Sequence, residues 1–127
     1  MALRDLLYVI FGMGDRDELP RLTEEEYGRL RQADAGRGPA VLYKHSPRCF
    51  VCRRAIGRVE EFARSRPDVP VRMIHVLEQR ELSDRVARDL DVRHESPQVI
   101  VIRDGRAAWS ASHDAVTEEA LSQAVGR

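Results

Sequence analysis

A chain of 127 residues fits one domain, with enough core to fold without staples. With 43% hydrophobic and 33% charged residues it composes an ordinary globule, and 21 cationic against 21 anionic side chains leave no global charge to attract nucleic acid or an anionic membrane. Two cysteines are too few for a secreted disulfide scaffold.

Residues 1–20 form an N-terminal arm ahead of a domain at 21–127. The arm's apolar run, Leu6-Leu7-Tyr8-Val9-Ile10-Phe11, is too short to span a bilayer. Asp15-Arg16-Asp17-Glu18 follows it where a secretory signal would need small residues. The expectation is a short extra helix, a packing extension or an oligomer contact, on a cytosolic protein. Thr23-Glu24-Glu25-Glu26 is a capping box, with Thr23 as cap and Glu26 reaching back, and it opens a helix that ends before the loop Gly36-Arg37-Gly38-Pro39.

Ala40 to Lys44 reads as a buried strand, broken by Ser46-Pro47. From Cys49 onward Cys52, Ile56, Val59, Phe62 and Ala63 keep helical spacing, and that helix stops before Pro67. Val69 to Val76 is a second strand, with Val71, Met73 and Val76 inward. Leu82, Val86 and Leu90 mark a second helix, ending near Asp91. Gln98 to Ile102 and Ala107 to Ser110 make a hairpin around Asp104-Gly105. A last helix starts at Thr117 and uses Ala120, Leu121, Ala124 and Val125. The order β-α-β-α-β-β-α after an N-terminal helical extension predicts an α/β protein with a four-stranded mixed sheet. That topology is the thioredoxin-like fold.

The chemistry concentrates at Cys49-Phe50-Val51-Cys52. A strand that delivers Cys-x-x-Cys to a helix start suits thiol–disulfide exchange, because the helix N-terminus favours a thiolate. Lys44, Arg48, Arg53, Arg54 and Arg58 crowd this segment, and no acid occurs from Ala40 through Val59. These charges are expected to lower the Cys49 pKa further, although a solvated helix face also explains Arg58. Cys49 is the candidate nucleophile. Cys52, deeper, is the candidate resolving cysteine, or else a small core hydrophobe. A zinc site would need further ligands, and His45, His75, His94 and His113 show no paired spacing. Ser96-Pro97 precedes the third strand. In this fold such a proline is cis and faces the cysteines, although the sequence also allows a plain trans turn.

Lys44-His45-Ser46-Pro47-Arg48-Cys49, His94-Glu95-Ser96-Pro97-Gln98, Asp104-Gly105 and Trp109-Ser110-Ala111-Ser112-His113 together resemble the monothiol bacilliredoxin family, over roughly Leu22 to Leu121. The resemblance implies removal of bacillithiol from S-thiolated cytosolic proteins, with Cys49 attacking. Members typically carry a single cysteine in this motif, so Cys52 is a departure that makes a dithiol mechanism available. Ser46, Arg48, His94, Ser96 and Pro97 are the candidate substrate-contacting residues. Glu95 is a further groove candidate, while Trp109 suits packing and His113 a loop or cap. The expected partners are S-thiolated proteins, the small thiol bacillithiol as co-substrate and a disulfide reductase. No bound cofactor, nucleic acid or membrane is expected. A general protein disulfide reductase and a redox-sensing adaptor without turnover are the competing readings.

Overall fold

The structure, a computed structural model, describes residues 19–34 and 36–126. Residues 1–18, and with them most of the expected arm, lie outside the described residues. Helix α1 (Glu24–Arg31) is capped by Thr23, whose hydroxyl accepts the Glu26 N–H at 3.1 Å. The second half of the expected capping box is replaced. Instead of reaching back, the Glu26 carboxylate accepts from Arg72 Nε at 2.8 Å, because the neighbouring strand brings a guanidinium beside it.

After α1 come β1 (Ala40–His45), α2 (Phe50–Ser65), β2 (Val71–His75), α3 (Arg80–Asp89), β3 (Gln98–Arg103), β4 (Arg106–Ser112), a 3-10 turn (His113–Ala115) and α4 (Glu118–Val125). The four strands lie in the order β2-β1-β3-β4. β1 runs parallel to β2 across the α2 crossover and antiparallel to β3, which pairs antiparallel with β4. This is the expected thioredoxin fold.

Helices cover both faces of the sheet, so alternation assigns side chains to two cores. Val41, Tyr43, Val71, Met73, Val99 and Val101 pack with α2 and α4. Ala40, Leu42, Ile74, Ile100 and Ile102 pack with α1 and α3. This double cover corrects the reading of β2. Val71 and Met73 are buried as expected, but Val76 lies past the strand end and is only half-buried, whereas Ile74 is buried on the second face. The outer edge of β2 is also protected. Met73 donates to the Pro20 carbonyl and accepts from the Leu22 N–H, both at 2.8 Å, so residues 20–22 pair where a neighbouring chain otherwise could. At the β3–β4 hairpin Asp104 and Gly105 both take positive φ, 55° and 77°, as a two-residue primed turn requires.

Candidate active site

β1 ends at His45, and Ser46 to Arg48 turn the chain into α2. Cys49 is the N-cap of that helix, with extended backbone (φ −115°, ψ 122°). A cap side chain accepts an otherwise unsatisfied N–H of the first turn, usually through oxygen. Here sulfur does so: Cys49 Sγ accepts the Cys52 N–H at 3.4 Å. That backbone hydrogen bond is the largest cause holding the Cys49 thiol below its ordinary pKa, and the Cys52 thiol and the Val51 backbone add to it against slight burial. Cys52 is fully buried, and burial pushes its thiol up to about 11. Both cysteines are free thiols. The pair therefore presents one accessible sulfur predisposed to ionise and one buried sulfur that keeps its proton.

Ser46 and Ser96 meet at the second sulfur. A backbone hydrogen bond from Ser46 and a side-chain hydrogen bond from Ser96 both reach Cys52. The Ser96–Pro97 peptide bond is cis, Pro97 is buried, and its carbonyl accepts the His113 N–H at 2.9 Å. His113 opens the 3-10 turn with φ 58°, so the tail motif reaches the site through its backbone. Trp109 is half-buried against the α2–α4 core.

The cationic residues are arranged differently from the expectation. Lys44 does not belong to the surroundings of Cys49. In β1 it follows Tyr43, so its side chain enters the opposite face, where it is completely buried. Its ammonium donates to the Ser83 carbonyl at 3.0 Å and to His94 Nδ1 at 2.9 Å. Burial lowers its pKa to about 8, against a smaller opposing effect of Asp84. The arginines are occupied elsewhere. Arg53 lies over the Phe50 ring at 5.4 Å, Arg54 pairs with Asp114 at 3.6 Å, and Arg58 donates to the Val116 carbonyl at 3.3 Å. Arg48 is exposed. Hydrogen bonds at the helix start, rather than these charges, lower the Cys49 pKa.

His94 has an exposed ring. Because lysine only donates, Nδ1 must accept from Lys44, which leaves the Nε2–H tautomer facing outward. Burial, then the Lys44 charge, lowers the His94 pKa. Glu95 accepts from the Ser112 hydroxyl, which holds its carboxyl below the usual range.

Three features of the site went unread in the sequence. Phe50, between the cysteines, is 80% exposed. Tyr43 is fully buried beneath α2, with its hydroxyl donating to the Cys52 carbonyl at 3.3 Å and lying 2.9 Å from His45 Nδ1. Gln98 is buried where β3 begins. Once β1 lies beneath α2, alternation sets the Tyr43 ring on the α2 side and Lys44 on the other.

Among the described residues no group of three His, Cys, Asp or Glu side chains converges as a metal site requires, and no helix is long and apolar enough to cross a membrane. Residues 21–121 match the family described as monothiol bacilliredoxin BrxC. The chain belongs to the monothiol bacilliredoxin family. A solved structure described as a candidate oxidoreductase with a thioredoxin fold is similar at 25% identity and TM-score 0.73, over 84% of this chain and 92% of that one. Mitochondrial thioredoxin 3 from Saccharomyces cerevisiae, in oxidised form, is similar at 18% identity and TM-score 0.65, over 88% and 97%. Thioredoxin from Fasciola hepatica is similar at 20% identity and TM-score 0.58, over 80% and 86%. The two thioredoxins share the fold. This bacilliredoxin is a thiol–disulfide oxidoreductase.

Proposed function

We propose that the protein reduces mixed disulfides between protein cysteines and a low-molecular-weight thiol, bacillithiol, with Cys49 as nucleophile and Cys52 as resolving cysteine. The observation that carries this reading is the division between the two sulfurs. Cys49 caps α2 with a lowered pKa, and Cys52 lies buried at its side with a raised one. In the first step the Cys49 thiolate attacks the small-thiol sulfur of the mixed disulfide. A new S–S bond forms to Cys49, the old one breaks, and the client leaves as a thiolate that takes up a proton. In the second step Cys52 loses its proton and attacks Cys49 Sγ. Bacillithiol leaves as thiolate, and the Cys49–Cys52 disulfide remains. Two electrons from small thiols or a disulfide reductase then restore the dithiol. Ser96 touches the resolving sulfur, and Pro97 would position the partner beside it with Ser46, Arg48 and His94 around the groove. The clients would be S-thiolated proteins of the cytosol.

A client cysteine bearing bacillithiol, followed by mass spectrometry, tests this. Cys49→Ser should abolish release of the small thiol, and Cys52→Ser should accumulate a bacillithiol adduct on Cys49. Full turnover by Cys49→Ser would overturn the assignment, and wild-type turnover by Cys52→Ser without added thiol would remove Cys52 as resolver. The Cys-x-x-Cys departure from a single-cysteine motif favours one second reading, a general disulfide reductase. Faster cleavage of an insulin-type disulfide than of the bacillithiol adduct would select it.

A further inference from the structure

Residues 92–97 run from α3 to β3 as neither helix nor strand, yet they carry Ser96, whose side chain hydrogen-bonds Cys52. No ladder fixes such a segment, so its place depends on bonds from neighbouring elements. Gln98 Nε2 donates to the Arg93 carbonyl at 2.8 Å, the Ser112 hydroxyl donates to Glu95, and the His113 N–H donates to the Pro97 carbonyl at 2.9 Å. His94 is held by Lys44, at 2.9 Å from the ammonium to Nδ1. Lys44 and Gln98 stand directly opposite each other on β1 and β3, so they share one face of the sheet and hold successive residues of the segment. The lysine is an expensive holder. It is completely buried, and its two partners, the Ser83 carbonyl and the His94 imidazole, are uncharged. Taking an ammonium out of water for uncharged acceptors costs more than it returns, and an apolar side chain of similar length would suit the core better. What the ammonium does reach is the side chain two residues before Ser96.

We propose that Lys44 is a positioning residue for the resolving step: through His94 it fixes the segment before Pro97, so that the Ser96 hydroxyl stays on Cys52 while that sulfur attacks Cys49. This rests on the reading of Cys52 as the resolving cysteine, and it gives the buried lysine a part in that step. The Ser96 hydrogen bond favours the Cys52 thiolate, whereas none of the groups that lower the Cys49 pKa lies in the segment. Displacing the segment therefore slows the second exchange and spares the first.

An equimolar dose of the aromatic disulfide dithiobis(nitrobenzoate), given to the reduced full-length protein in a stopped-flow mixer, separates the two steps. The Cys49 thiolate attacks it, forming a mixed disulfide and releasing one coloured thionitrobenzoate. Cys52 loses its proton and attacks Cys49 Sγ, closing the Cys49–Cys52 disulfide and releasing the second. Lys44→Met and Ser96→Ala should each slow the second release about tenfold, and Lys44→Met should keep the first within about twofold of wild type. The double variant should be no slower than either single one, because both remove the same contact. His94→Leu should match Lys44→Met, and His94→Asn, whose Oδ1 replaces the Nδ1 acceptor, should recover most of the rate. The His94 ring is exposed, so these two variants serve if Lys44→Met folds poorly. A second release as fast in His94→Leu as in wild type, additive losses in the double variant, or His94→Asn as slow as His94→Leu would overturn the role of Lys44 and leave the redox reading standing. A wild type that releases only one thionitrobenzoate would overturn Cys52 as resolver, and the role of Lys44 with it.

Discussion

At the scale of single residues, the difference between Cys49 and Cys52 arises from one helix start. Cys49 stands outside the first turn and collects its N–H groups, whereas Cys52, one turn along, faces the core with Ile56 and Val59. The same four-residue motif thus yields opposite pKa shifts. Alkylation by iodoacetamide as a function of pH reads this directly. Cys49 should react alone, with a midpoint below the value of about 8.5 for a free thiol, and Cys52 should stay unmodified up to about pH 10. Arg48→Ala should leave that midpoint where it is, because the guanidinium is exposed and the lowering comes from hydrogen bonds. Cys52→Ala should raise it by removing one of those donors. A midpoint that rises in Arg48→Ala and not in Cys52→Ala would restore the charge-based explanation.

At the scale of elements, periodicity was legible and orientation was only half so. The α2 stripe of Cys52, Ile56, Val59 and Phe62 predicts its buried face, and Asp104-Gly105 predicts the hairpin. Strand β1 was recognised as buried, but a continuous apolar run does not say which residue serves which face. Lys44, in such a run, reads in the sequence as one of the cations around Cys49, whereas the fold buries it on the opposite face of the sheet. The partner of Glu26 is hidden because Arg72 is distant in sequence and reaches it only through the fold. Gly105 shows another such dependence. A Cβ there would lie 2.5 Å from the Arg31 carbonyl oxygen at the end of α1, and φ is positive. Gly126 has a similar φ with nothing within 4 Å of an added Cβ. Gly105→Ala should therefore cost at least about 2 kcal/mol, from left-handed strain plus displacement of α1, against about 1 kcal/mol for Gly126→Ala. Urea denaturation of the two variants checks this, and equal losses would mean that α1 yields without cost.

At the scale of the whole molecule, two buried groups tie stability to pH with opposite signs. Lys44 titrates at about 8 in the fold against an ordinary 10.5. Between those values the unfolded chain holds a proton that the native protein has released, so stability rises with pH, by up to about 3 kcal/mol. Cys52 titrates at about 11 against an ordinary 9.0. There the native protein keeps the proton that the unfolded chain loses, so stability of the reduced form falls from about pH 9 to 11, by about 2–3 kcal/mol. The two slopes overlap and mask each other in the wild type, so each needs its own variant. Lys44→Met lacks the rise, and its stability relative to wild type should decline from pH 8 to 10.5. Cys52→Ala lacks the fall, and its relative stability should improve from pH 9 upward. Urea titrations of the reduced proteins at pH 7, 9 and 10.5 separate the cases. A Lys44→Met curve that stays parallel to wild type would show that the ammonium does not titrate while buried. The Lys44–His94 contact would then be a constant part of the groove, independent of pH.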